Sequence, residues 1–138
     1  MTIEKECERL VLDFAYFSDA QEYESMAALF AADGVLVRPS GDSLAGHDAI
    51  LASYRARAVS RITRHICTNI RITPESVEYA KGLTYALVYS APSSAADEGH
   101  FGIQADARHL IGEFEDEFVK TPSGWRFKQR ICRFVMHT

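Results

Sequence analysis

The side chains best suited to acid–base chemistry fall in two places. Tyr16 and Asp19 stand close together in Phe14-Ala15-Tyr16-Phe17-Ser18-Asp19, and His65 and Asn69 share one side of a later alternating stretch. An imidazole titrates near pH 6.5 when unperturbed, so a neutral His65 facing an apolar hollow is a usable general base. A carboxylate within hydrogen-bond reach would fix its tautomer and stabilise the imidazolium formed on proton abstraction. A phenol such as Tyr16, or an amide such as Asn69, can donate to an oxygen that gains negative charge. These types fit removal of a proton α to a carbonyl, followed by loss of water or by reprotonation elsewhere.

Each residue also has a structural reading. Asp19-Ala20-Gln21-Glu22 has the spacing of a variant capping box that opens a second helix. Tyr16 fits a helix whose tyrosine hydroxyl lies at the surface. A single strand histidine is often a satisfied structural residue.

The elements that must position these groups follow from periodicity. Thr2 caps a first helix over residues 3 to 18, with Glu4 and Glu6 in the first turn and Ile3, Cys7, Leu10, Val11, Phe14 and Phe17 on its apolar stripe. Tyr23, Met26, Ala27 and Phe30 predict a second helix, closed at Asp33-Gly34. A short strand at 35 to 38 ends at Pro39, and a third helix runs from Gly46 to about Ala58 with Ile50, Leu51 and Tyr54 inward. From Arg64 to Ile72 the period becomes two. His65, Cys67, Asn69 and Arg71 take one face, and Ile66, Thr68, Ile70 and Ile72 the other, which is expected to be core.

Further strands are expected at 77 to 90, 110 to 120 and 125 to 135, the last two a hairpin around Thr121-Pro122-Ser123-Gly124. The strand at 77 to 90 is apolar on both sides, which predicts a central position. The intervening stretch 91 to 105 is a long loop, expected to be a lid, a contact arm or disordered. Helices followed by strands predict an α+β domain in which a curved, mostly antiparallel sheet wraps the helices as a cone. A pocket is expected between helix 1, the start of helix 2 and the concave face. The aromatic set Phe14, Phe17, Tyr54, Phe114 and Phe118 is core first, with some members lining that pocket.

Composition bounds the partners. The 138 residues fit one domain, 1 to 138, with 47% hydrophobic and 25% charged content and a net charge of −4. No basic run exists, which argues against nucleic acid. The N-terminus has no signal-peptide core and no run is long enough for a membrane span, so a cytoplasmic location is expected. Cys7, Cys67 and Cys132 are odd in number and far apart, expected as reduced buried thiols. His47, His100, His109 and His137 have no metal-site spacing, so no metal is expected, and no phosphate loop is present.

The succession Phe14 to Asp19, Leu29-Phe30-Ala31-Ala32-Asp33-Gly34-Val35, Gly46-His47-Asp48-Ala49-Ile50, Arg64-His65 with Thr68-Asn69, and Gly124-Trp125-Arg126-Phe127 with Arg130 resembles the SnoaL-like branch of the nuclear transport factor 2-like superfamily. The resemblance covers nearly the whole chain and implies an α+β cone that forms a homodimer or larger oligomer through its sheet. That family includes scytalone dehydratase, steroid isomerases, polyketide cyclases, bile-acid dehydratases and small subunits of ring-hydroxylating dioxygenases.

Its dehydratases use a pocket Tyr, Asp and His set without metal or organic cofactor. Asp19 and His65 match two of those positions. Tyr16 lies near the tyrosine position, while Ser18 stands where scytalone dehydratase has a tyrosine. Arg130 falls where bile-acid dehydratases carry an arginine, although a surface or interface role also fits a strand rich in basic residues. The resemblance implies a cofactor-independent lyase or isomerase acting on a small, mostly apolar oxygenated molecule. Its alternative is a non-catalytic binding or oligomerising module like the dioxygenase small subunits.

Overall fold

A computed structural model describes residues 1–97 and 99–138. The first helix, α1 (Ile3–Asp19), begins where the Thr2 hydroxyl accepts from the Lys5 amide at 3.2 Å. Its buried residues Cys7, Leu10, Val11, Phe14, Ala15 and Ser18 recur at three- and four-residue steps, so one stripe faces inward. The segment Asp19-Ala20-Gln21-Glu22 does not open the next helix; it closes this one. Gln21 has φ of 58°, its amide donates to Ser18 O (3.2 Å), and the Glu22 amide donates to Phe17 O (2.8 Å). That double bond is the Schellman closure of a helix C-terminus, formed here with glutamine in the left-handed position usually given to glycine.

The second helix is correspondingly short. Helix α2 (Tyr23–Ala27) has Glu22 before it with no side-chain cap, and the chain is already a strand at Phe30. Strand β1 (Phe30–Val37) therefore contains Asp33-Gly34, which was expected to stop a helix. Gly34 serves close packing instead, since a Cβ there would lie 2.9 Å from both Ala31 O and Phe127 O. A three-residue strand β2 (Ser43–Ala45) and helix α3 (His47–Arg55) follow, the helix ending short of Ala58.

Four long strands complete an open six-stranded mixed sheet: β3 (Arg61–Pro74), β4 (Tyr79–Pro92), β5 (Leu110–Thr121) and β6 (Gly124–His137), in the order β2-β1-β6-β5-β4-β3. Only β1 against β6 is parallel; the other pairs are antiparallel. Strand β4 lies inside the sheet, as its two apolar sides predict. Helix α1 packs against β3, β4 and β6.

The register of β3 corrects the expected facing of its isoleucines. Between Thr68 and Arg71 the pairing with β4 shifts, with Asn69 at φ 53°. This β-bulge reverses the alternation. Before it, Thr63, His65 and Cys67 turn inward and Ile66 is 52% exposed; after it, Ile70 and Ile72 pack on the core.

The core holds Phe14, Phe30, Phe114, Phe118, Trp125 and Phe127, and in its midst lies a charge. Arg130 is fully buried rather than at a surface or interface. Its Nε and Nη2 donate to the two Asp116 oxygens at 2.7 and 2.9 Å, across directly paired positions of β6 and β5. The guanidinium also sits 3.9 to 4.5 Å from the ring centres of Phe114, Phe14 and Phe127.

Removing one partner leaves the other charge buried alone. Asp116→Ala should cost about 3–5 kcal/mol in urea unfolding, whereas Asp116→Leu with Arg130→Met should recover most of that loss. A single variant as stable as the wild type would contradict the assignment.

Candidate active site

The closed end of α1 presents Asp19 to the inward side of β3. Its carboxylate accepts three hydrogen bonds: from Thr63 Oγ1 (2.8 Å), from the His65 backbone amide (2.9 Å) and at 2.6 Å from His65 Nδ1. Gln21 strengthens the junction, its side-chain amide donating to Arg61 O at 3.2 Å. With the carboxylate on Nδ1, that nitrogen carries the ring proton and Nε2 is left as the acceptor.

Burial works to raise the Asp19 carboxyl. The ring, amide and hydroxyl donors of His65 and Thr63 outweigh it and hold the group below the ordinary carboxylate value. The two side chains keep 17% and 12% of their surface, so the pair is shielded while the imidazole still meets a cavity.

That cavity is about 240 Å³ and lies between α1, the end of α3 and the inward face of β3 to β6. Its wall is largely apolar, with Phe14, Tyr54, Ala86, Val88, Leu110, Phe114 and Phe134; His65, Thr63 and Ser18 supply polar groups on one side. Burial pushes the Tyr54 phenol up to about 12, so it stays protonated at neutral pH. The start of α2, expected to border the pocket, does so at the adjoining opening, where Tyr23 stands with His65, Ser18 and Thr63, and not in the cavity itself. A wider, more open depression of about 590 Å³ involves Arg71, Lys81, Glu115 and Glu117 and lacks the imidazole. Among the described residues, no group of three His, Cys, Asp or Glu side chains is arranged to hold a metal ion. No described helix is long and apolar enough to cross a membrane.

The structure thus brings together His65, Asp19, Tyr54, Phe14 and Phe114. It separates the others from them. Tyr16 is 64% exposed on the outer side of α1, two residues past the buried Phe14 and so on the wrong side of the helix. Asn69 is exposed at the bulge and accepts from the Thr68 hydroxyl. Phe17 and Phe118 pack in or against the core, and Arg130 is committed to Asp116. Not singled out from the sequence are Thr63, which bonds Asp19, and Arg38 and Arg57, which also line the cavity. Thr63 stands two positions before His65 and so on the same strand face, a signal that was available; nothing in the sequence marks the two arginines.

The SnoaL-like domain model matches residues 1–131. The chain belongs to the SnoaL-like family. Among solved structures, a Novosphingobium aromaticivorans protein described as a candidate scytalone dehydratase is 25% identical, with a TM-score of 0.80 over 97% of this chain and 85% of its own. A type 2 hexachlorocyclohexane dehydrochlorinase shares 16% identity and a TM-score of 0.80 over 97% and 86%. ActVI-ORFA from Streptomyces coelicolor shares 16% and 0.75 over 94% and 95%. The last two likenesses are of fold. Among curated proteins, none matches the chain.

The Asp19 clamp has a pH signature. A folded value below the ordinary one means that the carboxylate stabilises the fold above about pH 4 and that this contribution disappears as pH falls through the folded value. Urea unfolding of wild type and Asp19→Asn should differ by about 1–3 kcal/mol at neutral pH. The gap should close in acid; a gap unchanged down to about pH 2 would contradict the clamp.

Proposed function

We propose that this SnoaL-like protein is a cofactor-independent lyase or isomerase that removes a proton α to a carbonyl from a small, mostly apolar oxygenated molecule. The observation that carries the reading is the Asp19–His65 pair, with Nδ1 held by the carboxylate and the ring lining an apolar cavity. The candidate scytalone dehydratase, at 25% identity over nearly the whole chain, supports it.

In this reading His65 Nε2 takes the proton, and the C–H electron pair moves to the carbonyl oxygen as an enolate. For elimination, the enolate electrons return and expel a β-hydroxyl, which leaves as water with the proton carried on the imidazolium. For isomerisation, the same proton is delivered to another carbon. Asp19 keeps the imidazole in one tautomer and offsets its positive charge after the transfer. Tyr54, protonated and on the cavity wall, replaces the exposed Tyr16 as the phenol able to donate to the enolate oxygen.

We also propose self-association through the outer face of the sheet, where Ile62, Ile66, Tyr85 and Met136 are all exposed. Exposed apolar residues clustered on one face mark association surfaces.

In deuterium oxide, the protein should exchange α-protons of small cyclic ketones and β-hydroxy ketones, followed by proton NMR. His65→Gln should slow exchange by about 10²-fold or more, and Asp19→Asn should also slow it. Exchange unaltered by the His65 change would sink the proposal; tight binding without exchange would favour a non-catalytic module. For self-association, Ile66→Arg should lower the mass measured by light scattering to that of a single chain, and a wild-type protein already at that mass would refute it.

A further inference from the structure

Two positive charges on the cavity have no ion-pair partner among the described residues. Arg38 follows the last residue of β1 and is held by a 2.8 Å hydrogen bond from Nη1 to Ser53 Oγ on α3. Arg57 lies two residues beyond the end of α3 with its guanidinium 4.2 Å from the centre of the Tyr54 ring. Both line the cavity, and both also line the adjoining opening that holds His65, Ser18 and Arg61.

The neighbouring charges are already taken. Arg61 pairs with Asp106, Arg133 with Glu113 and Glu115, and Asp19 with His65. Among the described residues Arg38 and Arg57 form no ion pair. Arg38 is half-buried, and its Nε is buried without an acceptor. A guanidinium withdrawn from water without a counter-charge is unfavourable, so the half-buried Arg38 favours an anion brought in from outside, and the exposed Arg57 adds a second positive charge on the same wall. Guanidinium forks match the geometry of a carboxylate.

Resting on the proton-abstraction reading above, we propose that the substrate is a small organic acid whose carboxylate is held by Arg38 and Arg57 while its C–H meets His65. The apolar wall and the cavity of about 240 Å³ fit a body smaller than most drug-sized ligands, whose sites span roughly 300–1,000 Å³. The carboxylate is a handle, distinct from the carbonyl that acidifies the C–H. A carboxylate already carries a negative charge and would resist becoming a dianionic enolate. The substrate class is therefore a keto acid, or an acid carrying a second carbonyl, with one or two rings at most.

The test uses 2-naphthoate and its neutral isostere 2-naphthamide as probes of the purified protein, read by calorimetry. Naphthoate should bind about tenfold or more tightly than the amide. Arg57→Gln, at an exposed position that leaves folding intact, should abolish most of that preference. Arg38→Gln should do the same, and Arg38→Lys should restore part of it; melting curves confirm that each variant is folded. Equal binding of the two probes, binding of neither, or a preference that survives both Gln variants would overturn the inference. The two readings fail separately. Neutral ketones exchanged through His65 with no carboxylate preference leave proton abstraction standing, and a carboxylate preference in a protein that exchanges no proton leaves only the binding site.

Discussion

The carboxylate of Asp19 is the junction on which the cavity depends. Three donors from two residues of β3 converge on it, and it stands on the last residue of α1, so helix and strand are fixed to each other at one point. The reversal at Gln21 makes this possible: it ends the helix abruptly and sends the chain away, leaving the helix end open toward the strand. The Gln21 side chain then grips the backbone just upstream. An imidazole bonded through one nitrogen to so constrained a partner loses most of its rotational freedom before any ligand arrives.

A second ionic pair, Arg130 with Asp116, has a different character. It is bidentate, fully enclosed and ringed by phenylalanines, with no surface through which a ligand could compete. The aromatic faces supply part of the solvation that water would have given the guanidinium. One pair is sealed and ties β5 to β6 across the core; the other is only shielded, with one partner at a cavity wall. Accessibility separates their roles, because both consist of a charged or chargeable base against a carboxylate.

Much of the architecture was legible because it rests on local pattern. The stripe of α1, the alternation of β5 and the Thr121 to Gly124 turn each specify an element within a few residues. Asp19 and His65 were also reachable, through the order of motifs along the chain. Misreadings arose where local signals pointed to a structure that tertiary packing overrode. Asp19 to Glu22 has the spacing of a helix start yet is a helix end, because Gln21 accepts a left-handed backbone and its side chain finds two carbonyls. Phe30 continues the helical spacing of Tyr23 and Met26 yet begins a strand, since β6 offers it a ladder partner. Tyr16 failed on phase alone, and Arg130 failed because four basic residues in one strand look solvated when only one of them is buried.

The bulge in β3 has a consequence for the whole inner wall. Because it adds one residue, the strand serves the hollow with odd-numbered positions at its start and the core with even-numbered ones at its end. Were the extra residue placed upstream of position 65, the imidazole would point to solvent and its neighbour Ile66 would take its seat opposite Val88. Asparagine is one of the few side chains at ease in a left-handed backbone. An exposed amide with no contact to the hollow thereby acts as a pin, deciding from outside which way the ring inside must look.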